Sequence, residues 1–266
     1  MIYISTSELN KLRRFNPNGF NNGGYLFYKT DQILYKIFKN PFFCNRERER
    51  NVDFLKNIKI PHAILPTDKI ILDGDFRGYE MNNFKDSKTF KQSSRMCNID
   101  RLRVIKDTCI ALRKIHELGL YIGDIHLDNF LYNESLVEGA LIDFDYIRFP
   151  IDYGKFTEYY RLKKEYYGSF IKENANTDNI KSFAVFLSFM YEVNLEEVLA
   201  IGGIDLFKNI MSVLDIKCLG YLIDALDNFD GKITYFDELL PELKDQPIRK
   251  NRVLLKRKIN ETFLWF

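Results

Sequence analysis

The sequence lacks an excess of charge of either sign: 39 Lys and Arg residues stand against 37 Asp and Glu residues in a chain of 266. This balance gives no support for a dedicated nucleic-acid surface, because such surfaces need surplus basic side chains to neutralise phosphates. Cysteine is also scarce. Cys44, Cys97, Cys109 and Cys218 show no C-x-x-C spacing, which argues against a zinc site or a disulfide framework and favours a reducing compartment.

Long apolar runs are missing as well. The most apolar run, residues 183–190, is far too short to span a bilayer. The first ten residues lack the basic and apolar regions that mark a secretory signal. We therefore expect a soluble cytoplasmic protein without a membrane or nucleic-acid partner, and the sequence indicates no oligomeric state. Hydrophobic residues make up 46% of the chain, enough for a substantial core in one large domain or two lobes.

Residues 123–145 contain polar side chains whose order indicates a functional site. Two short apolar runs, 129–132 and 140–143, flank a polar bend, which is the pattern of a β-hairpin with a longer loop. A bend centred near Leu136 places Asn129 opposite Asp143. Asp and Asn are ordinary turn residues, so each fragment alone is weak evidence and the prediction depends on their joint order.

That order resembles the protein kinase-like superfamily, whose catalytic loop reads H-R-D-x-x-x-x-N and whose metal motif reads D-F-G. Here residues 122–129 read I-G-D-I-H-L-D-N, and residues 143–145 read D-F-D. The resemblance implies an α+β fold with two lobes. Residues 1–82 would form a small antiparallel sheet with one main helix, and residues 83–266 a mostly helical lobe.

The resemblance also implies which side chains carry the chemistry. Asp124 would be the base that faces a substrate hydroxyl, while Asn129 and Asp143 would hold Mg²⁺, with Asp145 as a further metal candidate. Amide and carboxylate oxygens suit this hard cation, which takes its remaining ligands from water and phosphate. ATP and Mg²⁺ are therefore the expected cofactors.

A turn-rich segment, residues 16–24, precedes a predicted β-hairpin at 25–28 and 33–38. Backbone N–H groups near Gly19, Gly23 and Gly24 could cover phosphates, because glycine permits a close approach. The spacing is not the kinase G-x-G-x-x-G, and a Gly/Asn turn without a ligand remains an equal alternative.

Lys36 lies in the second strand of that hairpin. By resemblance it would bind the α- and β-phosphates, with Lys39 as the fallback; the alternative is a solvated lysine at a sheet edge. The following residues, 45–58, have a helical apolar stripe. The family carries a glutamate here that pairs with the strand lysine, and Glu49 is our choice, ahead of Glu47. The run R-E-R-E-R could equally form a charged, solvated face.

A second hairpin is predicted at 63–72 and 76–81, after which Met81 and Asn83 would lie in the hinge whose backbone binds adenine. Residues 99–118 then form a predicted helix that leads to Asp124. His126 stands two residues after Asp124, and the resulting G-D-x-H motif resembles the aminoglycoside and choline phosphotransferase branch of the superfamily. This histidine would lie beside the transferring phosphoryl group or make a structural hydrogen bond.

Gly123 stands where protein kinases have the arginine that receives an activation-loop phosphate, so we expect activity without such phosphorylation. About thirty residues separate Asp145 from a helix near Thr177, an interval sized like an activation segment. In that helix Asp178 matches a family aspartate. This interval favours a protein substrate.

The preferred function is an ATP- and Mg²⁺-dependent phosphotransferase that acts on Ser or Thr hydroxyls of a protein, with Lys36, Asp124 and Asn129 as catalytic residues. One alternative is a small-molecule kinase of the aminoglycoside or choline phosphotransferase type. The other is a pseudokinase that serves as a binding module.

Overall fold

A computed structural model of the chain describes residues 1–15, 25–147, 175–214, 235–244 and 246–263. It has a β-sheet part built mainly from the first 82 residues and a mostly helical part that follows. This architecture confirms the predicted α+β fold with two lobes. The lobe boundary at residue 82 stays a prediction, although the last strand of the large sheet ends there.

In the described residues, the large sheet has six strands in the order β1-β5-β6-β4-β3-β2. Strands β3 to β6 pair antiparallel, as predicted. Strand β2, which was not predicted, pairs antiparallel with β3, and β1 pairs parallel with β5 at the edge. No strand was predicted for the N-terminal residues, because three residues are too few to show alternation. The strands are β1 Ile2–Ile4, β2 Arg13–Phe15, β3 Tyr25–Lys29, β4 Ile33–Phe38, β5 Pro66–Leu72 and β6 Asp75–Asn82.

Two helices accompany this sheet: α1, Thr6–Leu9, and α2, Arg46–Leu55. Helix α2 begins after Asn45, whose side chain accepts a hydrogen bond from the Arg48 N–H and so caps the helix. Val52 of α2 packs in one buried cluster with Phe38 and Tyr79 of the sheet. The helix is thereby fixed against the strand that carries Lys36.

The helical part is organised around α3, Asn98–Glu117, which the sequence predicted to within one residue at each end. It packs on a three-stranded sheet in the order β7-β8-β9. The approach is close, since a Cβ on Gly139 of β9 would lie 2.2 Å from the Val104 carbonyl oxygen. The remaining strands and α-helices of the described residues are β7 Lys88–Thr89, β8 Phe130–Asn133, β9 Glu138–Leu141, α4 Ala175–Tyr191, α5 Leu195–Met211, α6 Leu240–Leu243 and α7 Ile248–Phe263. Short 3₁₀ helices lie at Pro41–Phe43, Leu127–Asn129 and Phe236–Leu239.

The hairpin of β8 and β9 has the predicted position but a register shifted by one residue. Phe130 pairs with Leu141, and the Ile142 N–H donates to the Asn129 carbonyl oxygen at 2.9 Å. The prediction that Asn129 stands opposite Asp143 is therefore wrong. Instead, Asp143 leaves the ladder with φ of 65°, a left-handed conformation that is uncommon for a residue with a side chain.

The largest core lies in the helical part. Phe144, directly after Asp143, belongs to it, together with Phe130 of β8 and Phe183 of α4. Burial of such rings provides much of the hydrophobic stabilisation. Phe144 therefore anchors the chain between the two acidic residues of the D-F-D motif. In the described ranges, none of the helices combines the length and apolar character that a bilayer crossing needs.

Candidate active site

A cleft of about 950 Å³ opens between the large sheet and the helical part. Four polar residues predicted for phosphoryl transfer line it. Lys36 comes from β4 and Asp124 from the loop after α3, while Asn129 directly precedes β8 and Asp143 follows β9. Residues that are 107 positions apart in the sequence thus meet at one site.

Lys36 is buried in the middle of the sheet, with β3 on one side of its strand and β6 on the other. Its side chain is 1% exposed, and its Nζ lies 2.7 Å from Asp143 Oδ1 and 2.8 Å from Asp145 Oδ2. The ring of Tyr25 lies 4.1 Å from the same nitrogen, a cation–π contact. The alternative of a solvated lysine at a sheet edge does not hold.

The charge of this lysine is maintained against its burial. Burial alone lowers the pKa of an ammonium, but the carboxylates of Asp143 and Asp145 outweigh it and hold the pKa of Lys36 well above its usual value. Lys36 is therefore a fixed cation at the inner wall of the cleft, as phosphate binding requires.

The predicted pairing of Glu49 with Lys36 is wrong. Glu49 instead lies 2.7 Å from Lys69 of β5, which Asp53 also contacts at 2.9 Å. In the described part of the chain, the carboxylates paired with Lys36 are those of Asp143 and Asp145. The run R-E-R-E-R fills several neighbouring positions around α2 with charge, so the sequence pattern does not fix which of them points inward.

Arg48 is the charged residue of α2 that turns toward the core. Its guanidinium lies 5.2 Å from the ring of Phe38, 4.7 Å from that of Phe43 and 4.8 Å from that of Tyr146. The neighbouring Asn51 donates from Nδ2 to the Ile147 carbonyl oxygen at 3.2 Å. Helix α2 thus holds the segment just after the D-F-D motif, a role that the sequence analysis missed.

Asp178 of α4 holds the loop that carries Asp124. This buried carboxylate accepts hydrogen bonds from the backbone N–H groups of Ile122 and Gly123, the latter at 2.9 Å. Gly123 has φ of 75°, which favours glycine and accounts for its place in the loop. Asp178, the residue that the resemblance matched to a family aspartate, thus orients the loop that carries Asp124.

Asn129 is joined directly to the same loop. Its Nδ2 donates to the Asp124 carbonyl oxygen at 2.7 Å, and the residue is almost fully buried. Because the amide nitrogen is used, the side-chain oxygen is the atom suited to a cation. Asp143 lines the same cleft, and an amide oxygen and a carboxylate are both hard oxygen donors of the kind that Mg²⁺ takes.

Asp145 does not fit the metal role that the sequence assigned to it. Its side chain is 0% exposed and is absent from the cleft lining. Oδ1 accepts from the Tyr79 hydroxyl at 2.6 Å, and Oδ2 is paired with Lys36. Burial raises the pKa of Asp145, while the charge of Lys36 acts in the opposite direction. Both oxygens thus already have protein partners.

His126 makes two contacts with other residues of its own loop. Its Nδ1 accepts a hydrogen bond from the Asp128 N–H at 3.3 Å, and its Nε2 lies 3.8 Å from Asp124 Oδ2. The first contact is the structural hydrogen bond considered as an alternative in the sequence analysis. The second places the ring beside the proposed base, and the ring also lines the cleft.

The far end of the cleft is apolar. Met81 is nearly buried there, and Leu34 and Ile142 line the same space, as expected for a site that takes a flat base. Asn83 differs from the hinge prediction, because its N–H donates to the Gln32 carbonyl oxygen at 2.8 Å and is not open to adenine. The acceptor, Gln32, lies in the turn between β3 and β4.

Several predicted features lie outside the described residues. They include Gly19, Gly23 and Gly24, as well as most of the interval that resembles an activation segment. In the sequence, the glycine-rich segment lies between β2 and β3, two neighbouring antiparallel strands. Phosphate binding by these glycines stays a prediction.

No family model matches the sequence, and neither does any curated protein. Among solved structures, the chain is similar to the crystal structure of the PknI kinase domain from Mycobacterium tuberculosis, determined as a double mutant. The two are 14% identical, the match covers 93% of this chain and 94% of that one, and the TM-score is 0.50. At this identity the likeness is one of fold. The chain has the two-lobed protein kinase-like fold.

Proposed function

We propose that this protein is an ATP- and Mg²⁺-dependent phosphotransferase that moves the γ-phosphate to a hydroxyl group. The observation that carries the proposal is the meeting of Lys36, Asp124, Asn129 and Asp143 in one cleft with an apolar far end. Phosphoryl transfer depends mainly on positioning and on neutralisation of charge, and these residues supply both.

Each residue has a separate task in this reaction. Lys36, charged and held at the inner wall, orients the α- and β-phosphates. Asn129 and Asp143 hold Mg²⁺, which when bound supplies further positive charge to the phosphates. Asp124, 24% exposed in its side chain and so open to the cleft, aligns the acceptor hydroxyl and takes its proton.

We further propose that the acceptor is Ser or Thr of a protein. Support comes from the interval of about thirty residues between Asp145 and α4, and from the similarity to a kinase domain over most of the chain. The resemblance of Gly123 and His126 to the aminoglycoside and choline phosphotransferase branch favours a small-molecule acceptor instead. A cytoplasmic location stays a prediction from the sequence.

The test is transfer of label from γ-³²P-ATP in the presence of Mg²⁺ to a peptide library and, in parallel, to a panel of hydroxyl metabolites. We expect labelling of Ser or Thr peptides. Asp124→Asn should lower turnover by about 10²- to 10⁴-fold and leave the nucleotide-induced melting shift intact. Asp205→Asn, the same change at an exposed position on α5, is the matched control.

Three results would change the conclusion. Labelling of metabolites alone would replace the protein acceptor with a small molecule. A melting shift with no transfer to any acceptor would indicate a pseudokinase. Full activity of Asp124→Asn would remove Asp124 from the mechanism.

A further inference from the structure

The D-F-D motif places two carboxylates on one ammonium, and the two differ sharply in exposure. The side chain of Asp143 is 26% exposed and lines the cleft, whereas that of Asp145 is 0% exposed and lies behind Lys36. Only Asp143 can therefore exchange its partner for a ligand in the cleft without a rearrangement of the buried core.

Asp145 is held in place from two sides. Tyr79, on the strand next to that of Lys36, donates its hydroxyl hydrogen to Oδ1 at 2.6 Å, and Lys36 contacts Oδ2 at 2.8 Å. A buried carboxylate is stable only when it is paired and hydrogen-bonded, and here both conditions are met. The ion pair joins the buried ammonium of Lys36 to this carboxylate.

Helix α2 offers no competing carboxylate in the described structure. Glu49 pairs with Lys69 on the outer side of the helix, and the inward position is taken by Arg48, itself a cation. A lysine that had Asp143 alone would lose its only anionic partner whenever Asp143 turned to a metal ion.

We propose that Asp145 is a positioning residue that holds Lys36 in place for the nucleotide phosphates, so that Asp143 is left to hold metal. The inference rests on the proposed function, and it assigns the two acidic residues of one motif to two tasks. Asp145 thereby does what the sequence analysis expected of a glutamate on α2.

The first test measures thermal unfolding without any ligand for Asp145→Asn, Lys36→Met and the double variant. We expect the two losses in melting temperature to be clearly non-additive, because either change breaks the same buried pair. Glu49→Gln combined with Lys36→Met should be additive. Additive losses for Asp145 and Lys36, or coupling of Lys36 with Glu49, would overturn the inference.

The second test separates positioning from metal binding. For Asp145→Asn we expect affinity for ADP in EDTA to fall about five- to tenfold, and the Mg²⁺ concentration for half-maximal transfer to stay within about twofold. Asp143→Asn should raise that Mg²⁺ concentration about tenfold or more. A five- to tenfold change in affinity corresponds to about 1 to 1.4 kcal/mol. An equal Mg²⁺ shift for both variants would show that Asp145 is a metal ligand.

A milder variant covers the case in which Asp145→Asn fails to fold. Tyr79→Phe removes only the hydroxyl that holds Asp145 Oδ1, and it should weaken ADP binding in EDTA by about twofold or more in the wild-type background and not in Lys36→Met. No change in either background would count against the inference. If the wild-type protein binds no nucleotide, the proposed function fails, while the thermal coupling still decides the pairing.

Discussion

The ammonium of Lys36 lies 2.7 Å from Oδ1 of Asp143, and this contact joins the large sheet to the hairpin of the helical part. Both groups are on the wall of the same cleft. A shift of either part of the molecule would therefore change the ion pair, and the stability and the chemistry of the site are linked through it.

Replacement of Lys36 should lower both the stability of the fold and the activity of the site. Lys36→Met removes the cation and leaves two carboxylates facing each other, and we expect a loss of about 3 kcal/mol or more in the free energy of unfolding. Transfer activity should become undetectable. Lys36→Arg keeps the charge and should retain more stability. Urea unfolding of the three proteins makes the comparison, and equal stability for wild type and Lys36→Met would contradict it.

Asp178 should matter for activity although it lies outside the cleft. Asp178→Asn replaces an acceptor of two backbone hydrogen bonds by a group with a single oxygen. We expect a loss of about 1.5 to 3 kcal/mol in the free energy of unfolding, because hydrogen bonds to a charged acceptor are lost.

Turnover of Asp178→Asn should also fall, since the loop that carries Asp124 loses its anchor. The control is again Asp205→Asn, which should stay within about 0.5 kcal/mol of wild type. An active, fully stable Asp178→Asn would show that the loop is held by other contacts.

Gly78 of β6 has no room for a side chain. A Cβ there would lie 1.9 Å from the Lys36 carbonyl oxygen, so Gly78→Ala must push β4 away. We expect a loss of about 3 kcal/mol in the free energy of unfolding, together with weaker nucleotide binding. Gly74→Ala is the comparison: its φ of 97° is strained for alanine, yet nothing lies within 4 Å of the added carbon.

The strain at Gly74 should cost about 1 kcal/mol without affecting nucleotide binding, because the turn that holds it is remote from Lys36. Calorimetry and a nucleotide titration distinguish the two variants. A larger loss of stability in Gly74→Ala than in Gly78→Ala would contradict this prediction.

Acid should selectively weaken the ion pairs between α2 and β5. Partial burial raises the pKa of Asp53, but hydrogen bonds from Lys69 and Lys56 outweigh it and leave the pKa below the usual value. A carboxylate with a lowered pKa in the folded state stabilises the fold above its unfolded pKa, and that stabilisation is lost as pH falls through the folded pKa.

The comparison is between wild type and Asp53→Asn at pH 6 and at about pH 3, by urea unfolding. We expect wild type to be the more stable at pH 6 and the difference to shrink at pH 3. Because the Asp53 side chain is 40% exposed and its ion pairs are screened by solvent, the difference should be small. A difference that grows toward low pH would contradict the assignment.

The sequence predicted the parts of the site that depend on local pattern and order. The order of Lys36, Asp124, Asn129 and Asp143 along the chain resembles the kinase-like pattern, and their roles were assigned from that resemblance. The hairpin register was wrong by one residue because a polar bend does not show which residue is its centre. In a strand that error changes which residues face each other.

The errors at Glu49 and Asp145 have a different cause. Consecutive residues of a helix are about 100° apart, so an alternating run of Arg and Glu leaves the inward position undetermined. The burial of Asp145 depends on Tyr79, which lies 66 positions earlier in the chain. No local pattern reports such a contact. A clue was present, since Tyr79 alternates with Met81 and so shares its face of β6.

The hydrogen bond between Tyr79 and Asp145 also bears on the design of inhibitors. The tyrosine, 2% exposed, lines the cleft beside Lys36 and is held in place by this hydrogen bond. Compounds that need a deep hydrophobic extension would have to break this contact first, so compact heterocycles should be the more productive chemical starting points. Substitution of the tyrosine by a smaller residue should sensitise the protein to bulkier analogues.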